Sequence, residues 1–212
     1  LSLFGEKGND ADAGMVFPKD GGDVTAYLAD VVANPNFSND DGASGLAAIK
    51  DGSADVLFSG TWSAQDVKDA LGDNYAATSL PTFTVNGQKK QMKSFAATKA
   101  AAYNPNAKNP KAAAQFAAYL GSTEAQKLHY EMRAIPPTDK SLSDLTVDDI
   151  AAKAQADTMA NTALLQSGLS GMNDWWTPAE TFGKALVNKE ITKDNAAAKY
   201  QDWVKQAGGK IA

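Results

Sequence analysis

The sequence predicts an α/β fold in which a mostly parallel sheet is flanked by helices. Three observations carry that reading. Apolar residues recur at helical spacing in several windows, short apolar runs bounded by glycine or proline stand between those windows, and capping or breaking residues separate the two kinds of segment. Strands interleaved with helices are the pattern of the α/β class. At 212 residues with 43% hydrophobic content, the chain is long enough for one large or two small domains with a real core.

Taken in order, the segment FGEKGNDADAGMVFPKDGGD is rich in Gly, Asp and Lys. It reads as loop, with at most a short strand at Met15 to Phe17, and nothing in it resembles the start of a fold. From Asp23, the spacing of Val24, Tyr27, Leu28 and Val31 predicts a helix that Asn34-Pro35 stops. A second helix is expected over Ser44 to Lys50, with Leu46 and Ile49 inward and Asp51-Gly52 ending it. The run ADVLFSG then reads as a buried parallel strand. Ser63 is placed to cap a helix carrying Asp66, Val67, Ala70 and Leu71, with Gly72 as its stop. YAATSLPTF reads as a strand broken at Pro81, and TVNGQKK supplies an Asn-Gly turn.

SFAATKAAAYNP alternates loosely up to Pro105. Two Ala-rich helices follow, Pro110 to Leu120 and Ser122 to Arg133, separated by Gly121. AIPPTDKSLSDLT is loop, and Val147 to Met159 reads as helix with Thr146 and Asp149 as a capping pair. LLQSGLSGMNDWW is Gly/Ser-rich and ends in two adjacent Trp. Thr177-Pro178-Ala179-Glu180 combines a capping box with Pro at the first helical position, which predicts a helix start. The last helix, Asp194 to Ala207, puts Ala197, Tyr200, Trp203 and Val204 on one side, and GGKIA is expected to fray. No internal repeat of fixed period is present.

Composition narrows the function. The formal net charge is −5 and no basic run occurs, which argues against nucleic acid, whose binding needs a clustered positive footprint. Without Cys there is no disulfide framework, thiolate catalysis or thiolate-bound zinc. No apolar run approaches the ~20 residues that span a bilayer, and the first residues lack signal-peptide regions, so an export signal or anchor is expected outside this chain. No helix pairs an apolar face with a basic one, as a membrane-surface helix would.

Enzyme signatures are thin. The single His, His129, lies in a helical stretch with no nucleophile beside it. GxSxG, HExxH, GxGxxG and GxxxxGK[ST] are all missing. Asp40-Asp41, Asp148-Asp149 and Asp174 could supply the two carboxylates of a glycosidase, but acids in loops and at helix starts ordinarily cap helices or face water. NDADAG matches half of a calcium loop and lacks the later Glu. No catalytic residue, metal or cofactor is therefore expected.

The aromatic residues carry more. Sugars present apolar CH faces and a rim of hydroxyls, so aromatic rings with Asp, Asn or Gln beside them suit such ligands. Trp62 sits where an apolar run hands over to a helix. Trp175 and Trp176 sit at a second helix start, with Asn173 and Asp174 adjacent. In α/β folds ligands collect at such junctions. Two adjacent Trp cannot both point inward from one turn, so one is expected exposed, whereas Trp203, within helical apolar spacing, is expected in the core.

The order ADVLFSGTWSAQDVK, NYAATSLPTF, SFAATKAAAYNP, KNPKAAAQFAAYLGSTEAQKLHYE, IPP and GMNDWWTPAETFGKALVNKEITKDNAAAKYQDWVKQ resembles the C-terminal half of extracellular solute-binding proteins of sugar ABC importers. Within them it is most similar to the maltose/maltodextrin-binding proteins. SGTW corresponds to the family's Gly-Pro-Trp turn, with Thr61 for Pro, and MNDWW to its Met-rich aromatic turn. The region where relatives often carry a Tyr reads Asp40-Asp41-Gly42-Ala43.

The resemblance implies a periplasmic-binding-protein-like (type II) two-lobed fold, with residues 1–96 and 150–212 in the C-terminal lobe and 97–149 in the N-terminal lobe. It implies a non-enzymatic, monomeric receptor that binds an oligosaccharide in an inter-lobe cleft. Its partners would be that ligand and the membrane permease subunits. The resemblance makes Trp62 and Trp176 the ring-stacking residues, with Trp175 adjacent, and the expected ligand set adds the polar residues Asn173, Asp174 and Asp41 to them. The implied location is extracellular or periplasmic, anchored through a lipidated N-terminus outside this chain. Two alternatives stand beside it, a carbohydrate-active hydrolase fragment using the loop acids and an interaction domain using exposed Trp residues.

Overall fold

The structure, a computed structural model, describes residues 3–39 and 43–212. Asp41 lies outside the described residues. The chain divides into two compact units, the first built from Leu1–Asp40, Leu80–Ala96 and Ala163–Ala212, the second from Asp41–Ser79 and Ala97–Thr162.

All strands among the described residues belong to the first unit. They form three pairs. Val16–Phe17 (β1) runs parallel to Lys210–Ile211 (β6), and Phe95–Ala96 (β4) parallel to Leu164–Leu165 (β5). Thr82–Val85 (β2) and Gln88–Gln91 (β3) form an antiparallel hairpin. The Asn-Gly turn is as expected, with Asn86 at φ 52° and Gly87 at φ 73°, the left-handed pair that a two-residue hairpin loop requires. The strand expected over YAATSLPTF begins only after Pro81, because proline cannot donate to a ladder.

Gly21–Ala33 (α1) and Ala196–Gln206 (α8) pack on each other. The buried stripe of α1 is Gly21, Thr25 and Ala29, rather than the larger Val24, Tyr27, Leu28 and Val31 that its spacing emphasises. Small residues at i, i+4 and i+8 let the two helix backbones approach closely. The Tyr200 ring lies directly over Gly21, where an added Cβ would fall 2.0 Å from Cζ. Tyr27 instead stacks on Phe83 of the hairpin, with ring centroids 5.0 Å apart.

The main core of this unit is Phe4, Met15, Phe17, Met172, Tyr200, Val204 and Ala207. Two expectations fall here. The Gly/Asp-rich N-terminal segment contributes three core side chains, and its backbone is tied in by the Val16 N–H donating to the Leu3 carbonyl at 2.7 Å. The final residues do not fray, since the Lys210 and Ala212 N–H groups donate to the carbonyls of Met15 and Phe17 at 2.9 and 3.0 Å. Ile211, alone among Gly and Lys as a large apolar residue, gave no sign of the Lys210–Ile211 strand.

Burial pushes the Tyr200 hydroxyl up to about 12 from its ordinary 10.0, with the nearby Asp20 charge adding to the effect. The neutral form is thus favoured in the folded state. Above the ordinary value the unfolded chain gives up this proton while the folded chain keeps it, so stability is full below about pH 10 and falls as pH rises toward 12. Alkaline unfolding followed by circular dichroism is expected to steepen in that window. Tyr200→Phe should flatten it.

Among its described residues the second unit is helical. Ser44–Asp51 (α2), Ala64–Leu71 (α3), Pro110–Leu120 (α4), Thr123–Arg133 (α5) and Ile150–Asp157 (α6) make it up. The α4–α5 pair follows its sequence signals, with Pro110 at the first turn and the Ser122 hydroxyl accepting from the Ala125 N–H at 3.2 Å. Helix α6 starts at Ile150 rather than Val147, because Asp149 alone caps it by accepting from the Ala152 N–H at 3.0 Å. Ser63 precedes α3 but does not cap it; its hydroxyl lies 3.0 Å from that of Ser59.

The segment ADVLFSG is not a strand. It has no ladder partner among the described residues, and Val56 and Phe58 are 72% and 63% exposed. An apolar run signals an element that gains by burial, while a strand forms only where a neighbouring backbone supplies its hydrogen bonds.

Candidate functional site

Two places carry the aromatic residues singled out by the sequence, one in each unit. In the first unit, Asn173–Val187 (α7) begins four residues before the predicted Thr177 start. A 3-10 turn over Ser170–Met172 runs straight into it, fixed by the Met172 side chain, which is 2% exposed in the main core. Pro178 therefore lies inside the helix. Thr177 and Glu180 form no capping box. The Thr177 carbonyl accepts from the Thr181 hydroxyl at 3.0 Å, and Glu180 pairs with Lys184 at 2.5 Å, which holds its carboxyl below the usual range.

The early start places Asn173, Asp174, Trp175 and Trp176 together in the first turn of α7. Asn173 and Asp174 are exposed and line a cavity of about 370 Å³ with Thr177 and the end of α8 at Gln206, Ala207 and Gly208. The two Trp divide as the sequence argument requires. Trp175 packs on the main core, while Trp176 is 44% exposed. Their rings meet edge to face at 4.9 Å and 85°. Behind them Trp203, expected in the core, is partly buried against it and stacks on Phe182 at 4.6 Å.

Phe95, which the sequence reading did not single out, touches both Trp rings, at 5.3 Å from Trp175 and 5.9 Å from Trp176. Its signal was faint. It is the one large aromatic at the head of a stretch that otherwise alternates only loosely.

In the second unit, Thr61–Ser63 form a 3-10 turn leading into α3, closed by the Ser63 N–H donating to the Gly60 carbonyl at 3.0 Å. Trp62 is 75% exposed, the largest such value among the big apolar side chains here. Its six-membered ring lies against the Gly60 backbone, where an added Cβ would fall 2.3 Å from Cζ3. Glycine at 60 is what lets the indole lie flat there. Gly60→Ala is expected to swing the exposed ring away at little cost in stability, shifting Trp emission without moving the unfolding midpoint by more than about 1 kcal/mol equivalent. An unchanged emission spectrum would contradict this placement.

Asp149 and Asp10 are otherwise engaged, while Asp40 and Asp41 lie outside the described residues. Asp149 accepts from the Ala152 N–H and, at 3.0 Å, from the Tyr130 hydroxyl, whose pKa is raised by burial and then by this contact. Asp10 accepts from the N–H groups of Asp12 and Ala13, each at 3.0 Å, so NDADAG closes a local turn. His129 is exposed on α5. Among the described residues no group of His, Cys, Asp or Glu is placed to hold a metal ion. No described helix is long and apolar enough to cross a membrane.

The family model for bacterial extracellular solute-binding proteins matches residues 2–161. The chain belongs to that family. Among solved structures, this chain is similar to a protein solved with acarbose, at 39% identity and TM-score 0.89, over 97% of this chain and 56% of the other. It also shares its fold with a maltodextrin binding protein, MalE1, from L. casei BL23, solved without ligand, at 24% identity and TM-score 0.76, covering 99% and 57% of the two chains. A third likeness is to the maltose-binding periplasmic protein MalE from Listeria monocytogenes in complex with maltose, at 20% identity and TM-score 0.62, covering 96% and 55%. The chain thus spans a little over half the length of each of these proteins. No curated protein matches it. The α/β class and the binding-protein fold expected from the sequence are those of these neighbours.

Proposed function

We propose that this chain is the C-terminal half of the sugar receptor of a bacterial ABC importer, and that it takes a maltodextrin-type oligosaccharide by ring stacking on Trp62 and Trp176. The observation that carries this is a pair of exposed indoles, each at the start of a helix, in a chain 39% identical over nearly its whole length to a protein solved with acarbose. Stacking on a sugar's apolar face needs an exposed, oriented ring, and hydroxyl recognition needs polar groups beside it. Asn173 and Asp174, on their own cavity next to Trp176, supply such groups. Asp41, in the region where relatives often carry a Tyr, is kept in the proposed ligand set as a further polar group.

Most of the large exposed apolar side chains, including Val56, Phe58, Phe116, Leu128 and Met132, belong to the second unit. So much uncovered apolar surface suits a chain that packs against further protein. In the longer receptor, residues 1–96 and 150–212 would belong to the C-terminal lobe and 97–149 to the N-terminal lobe. Closure of the lobes would bury the sugar between them, and the closed form would dock on permease subunits. The receptor itself would do no chemistry. It would work outside the membrane as a monomer, held there by a lipidated N-terminus.

Calorimetric titration of the full-length receptor tests this reading. Saturable heat with maltotriose and acarbose, and none with an unrelated disaccharide, is expected. Steady release of nitrophenol from a nitrophenyl glucoside would instead favour a hydrolase.

A further inference from the structure

Trp176 does not stand alone on its helix. Phe95, Trp175 and Trp176 form a closed triangle in which each ring meets the other two edge to face, at centroid distances of 5.3, 5.9 and 4.9 Å and interplanar angles of 85°, 61° and 85°. In that arrangement the positive edge of one ring meets the negative face of the next, so each contact prefers one relative orientation.

Two of the corners are anchored. Phe95 lies in β4 opposite Leu164 of β5, and the Leu164 and Gln166 N–H groups donate to the carbonyls of Ser94 and Ala96 at 2.8 and 3.0 Å. Ala96, next in the strand, is buried. Trp175 reaches Trp203 at 6.4 Å, and Trp203 reaches Phe17 at 5.1 Å in the main core. Trp176, the third corner, is the one that is 44% exposed. A half-exposed indole in the first turn of a helix otherwise turns about two side-chain bonds, and binding must then stop that motion at an entropic cost.

We infer that Phe95 is a positioning residue for sugar binding, its ring holding the Trp176 indole, together with Trp175, in the orientation that leaves one face open to ligand. The inference rests on the assignment of Trp176 as a stacking residue. Phe95 itself touches no sugar. Its strand converts a mobile surface ring into a prepared platform.

The test is maltotriose affinity and near-ultraviolet circular dichroism of the full-length receptor, with melting temperature as the control for folding. Phe95→Leu, which keeps apolar bulk but removes the ring, is expected to weaken maltotriose binding roughly three- to tenfold. It should also diminish the dichroic signal of the coupled Trp pair in the absence of sugar. Phe95→Tyr keeps the ring and should retain both. If Phe95→Leu does not fold, Phe95→Met is read in the same way. Wild-type affinity and dichroism in the ringless variant, alongside weakened binding in Trp176→Ala, would overturn the positioning role and leave the site standing. Wild-type affinity in Trp176→Ala would remove the site assignment and this inference with it.

Discussion

Tyr200→Ala is expected to lower stability by about 3–5 kcal/mol, a large share of the roughly 5–15 kcal/mol typical of a domain. Tyr200 is 4% exposed and joins three parts of the first unit. Its hydroxyl donates to the Pro18 carbonyl at 2.6 Å. Its ring meets Phe17 of β1 at 6.5 Å and Trp203 at 6.0 Å, both edge to face. It also covers Gly21 at the start of α1. Truncation leaves a cavity at the α1–α8 contact and takes one of two hydrogen bonds from the Pro18 carbonyl, which keeps only the Gly21 N–H at 3.2 Å. Gly21→Ala approaches the same contact from the other side, forcing a methyl group into the ring and costing about 1–3 kcal/mol or more, since the hydroxyl tether and the neighbouring rings keep the ring from retreating. Urea unfolding followed by far-ultraviolet circular dichroism measures both. A wild-type midpoint in either variant would contradict the packing described.

Trp62→Ala and Trp176→Ala are each expected to weaken sugar binding in the full-length receptor by about 1–3 kcal/mol, roughly five- to 150-fold in Kd. The folded state should barely notice the first, because Trp62 is 75% exposed, its ring lying against Gly60 of its own turn. Trp176→Ala removes one corner of the aromatic triangle and should cost some stability as well. Affinity and melting temperature therefore separate the two sites. A loss of affinity that merely tracks loss of stability would argue against stacking.

The parts of this fold that were legible in the sequence are those whose signals are local. Pro110, Gly121 and Ser122 bracket α4 and α5 because helix ends are set by the residues that stand at them. Asn86-Gly87 marks its hairpin because few other pairs accept two left-handed residues. What was misread depends on distant partners. The start of α7 is set by burial of Met172 in the main core, which overrides the capping box four residues on. Lys210–Ile211 becomes a strand because β1, nearly two hundred residues earlier in the chain, lies open beside it. ADVLFSG looked like a strand on composition, yet pairing depends on a neighbour that composition does not specify.

The candidate site divides in the same way. Trp62, Asn173, Asp174 and Trp176 were visible as aromatic and polar residues at segment junctions, and each is exposed. The inequality of Trp175 and Trp176 followed from adjacency on one turn. Phe95 was not visible, because its meaning comes from the β4–β5 pairing that carries it to the two Trp rings.

The most direct test is a Trp-fluorescence titration of the full-length receptor with maltotriose, run beside the Trp62→Ala, Trp176→Ala double variant. A saturable change in emission in the wild-type protein, absent along with binding in the double variant, is the predicted result. Undiminished maltotriose affinity in the folded double variant would contradict sugar recognition by these two indoles.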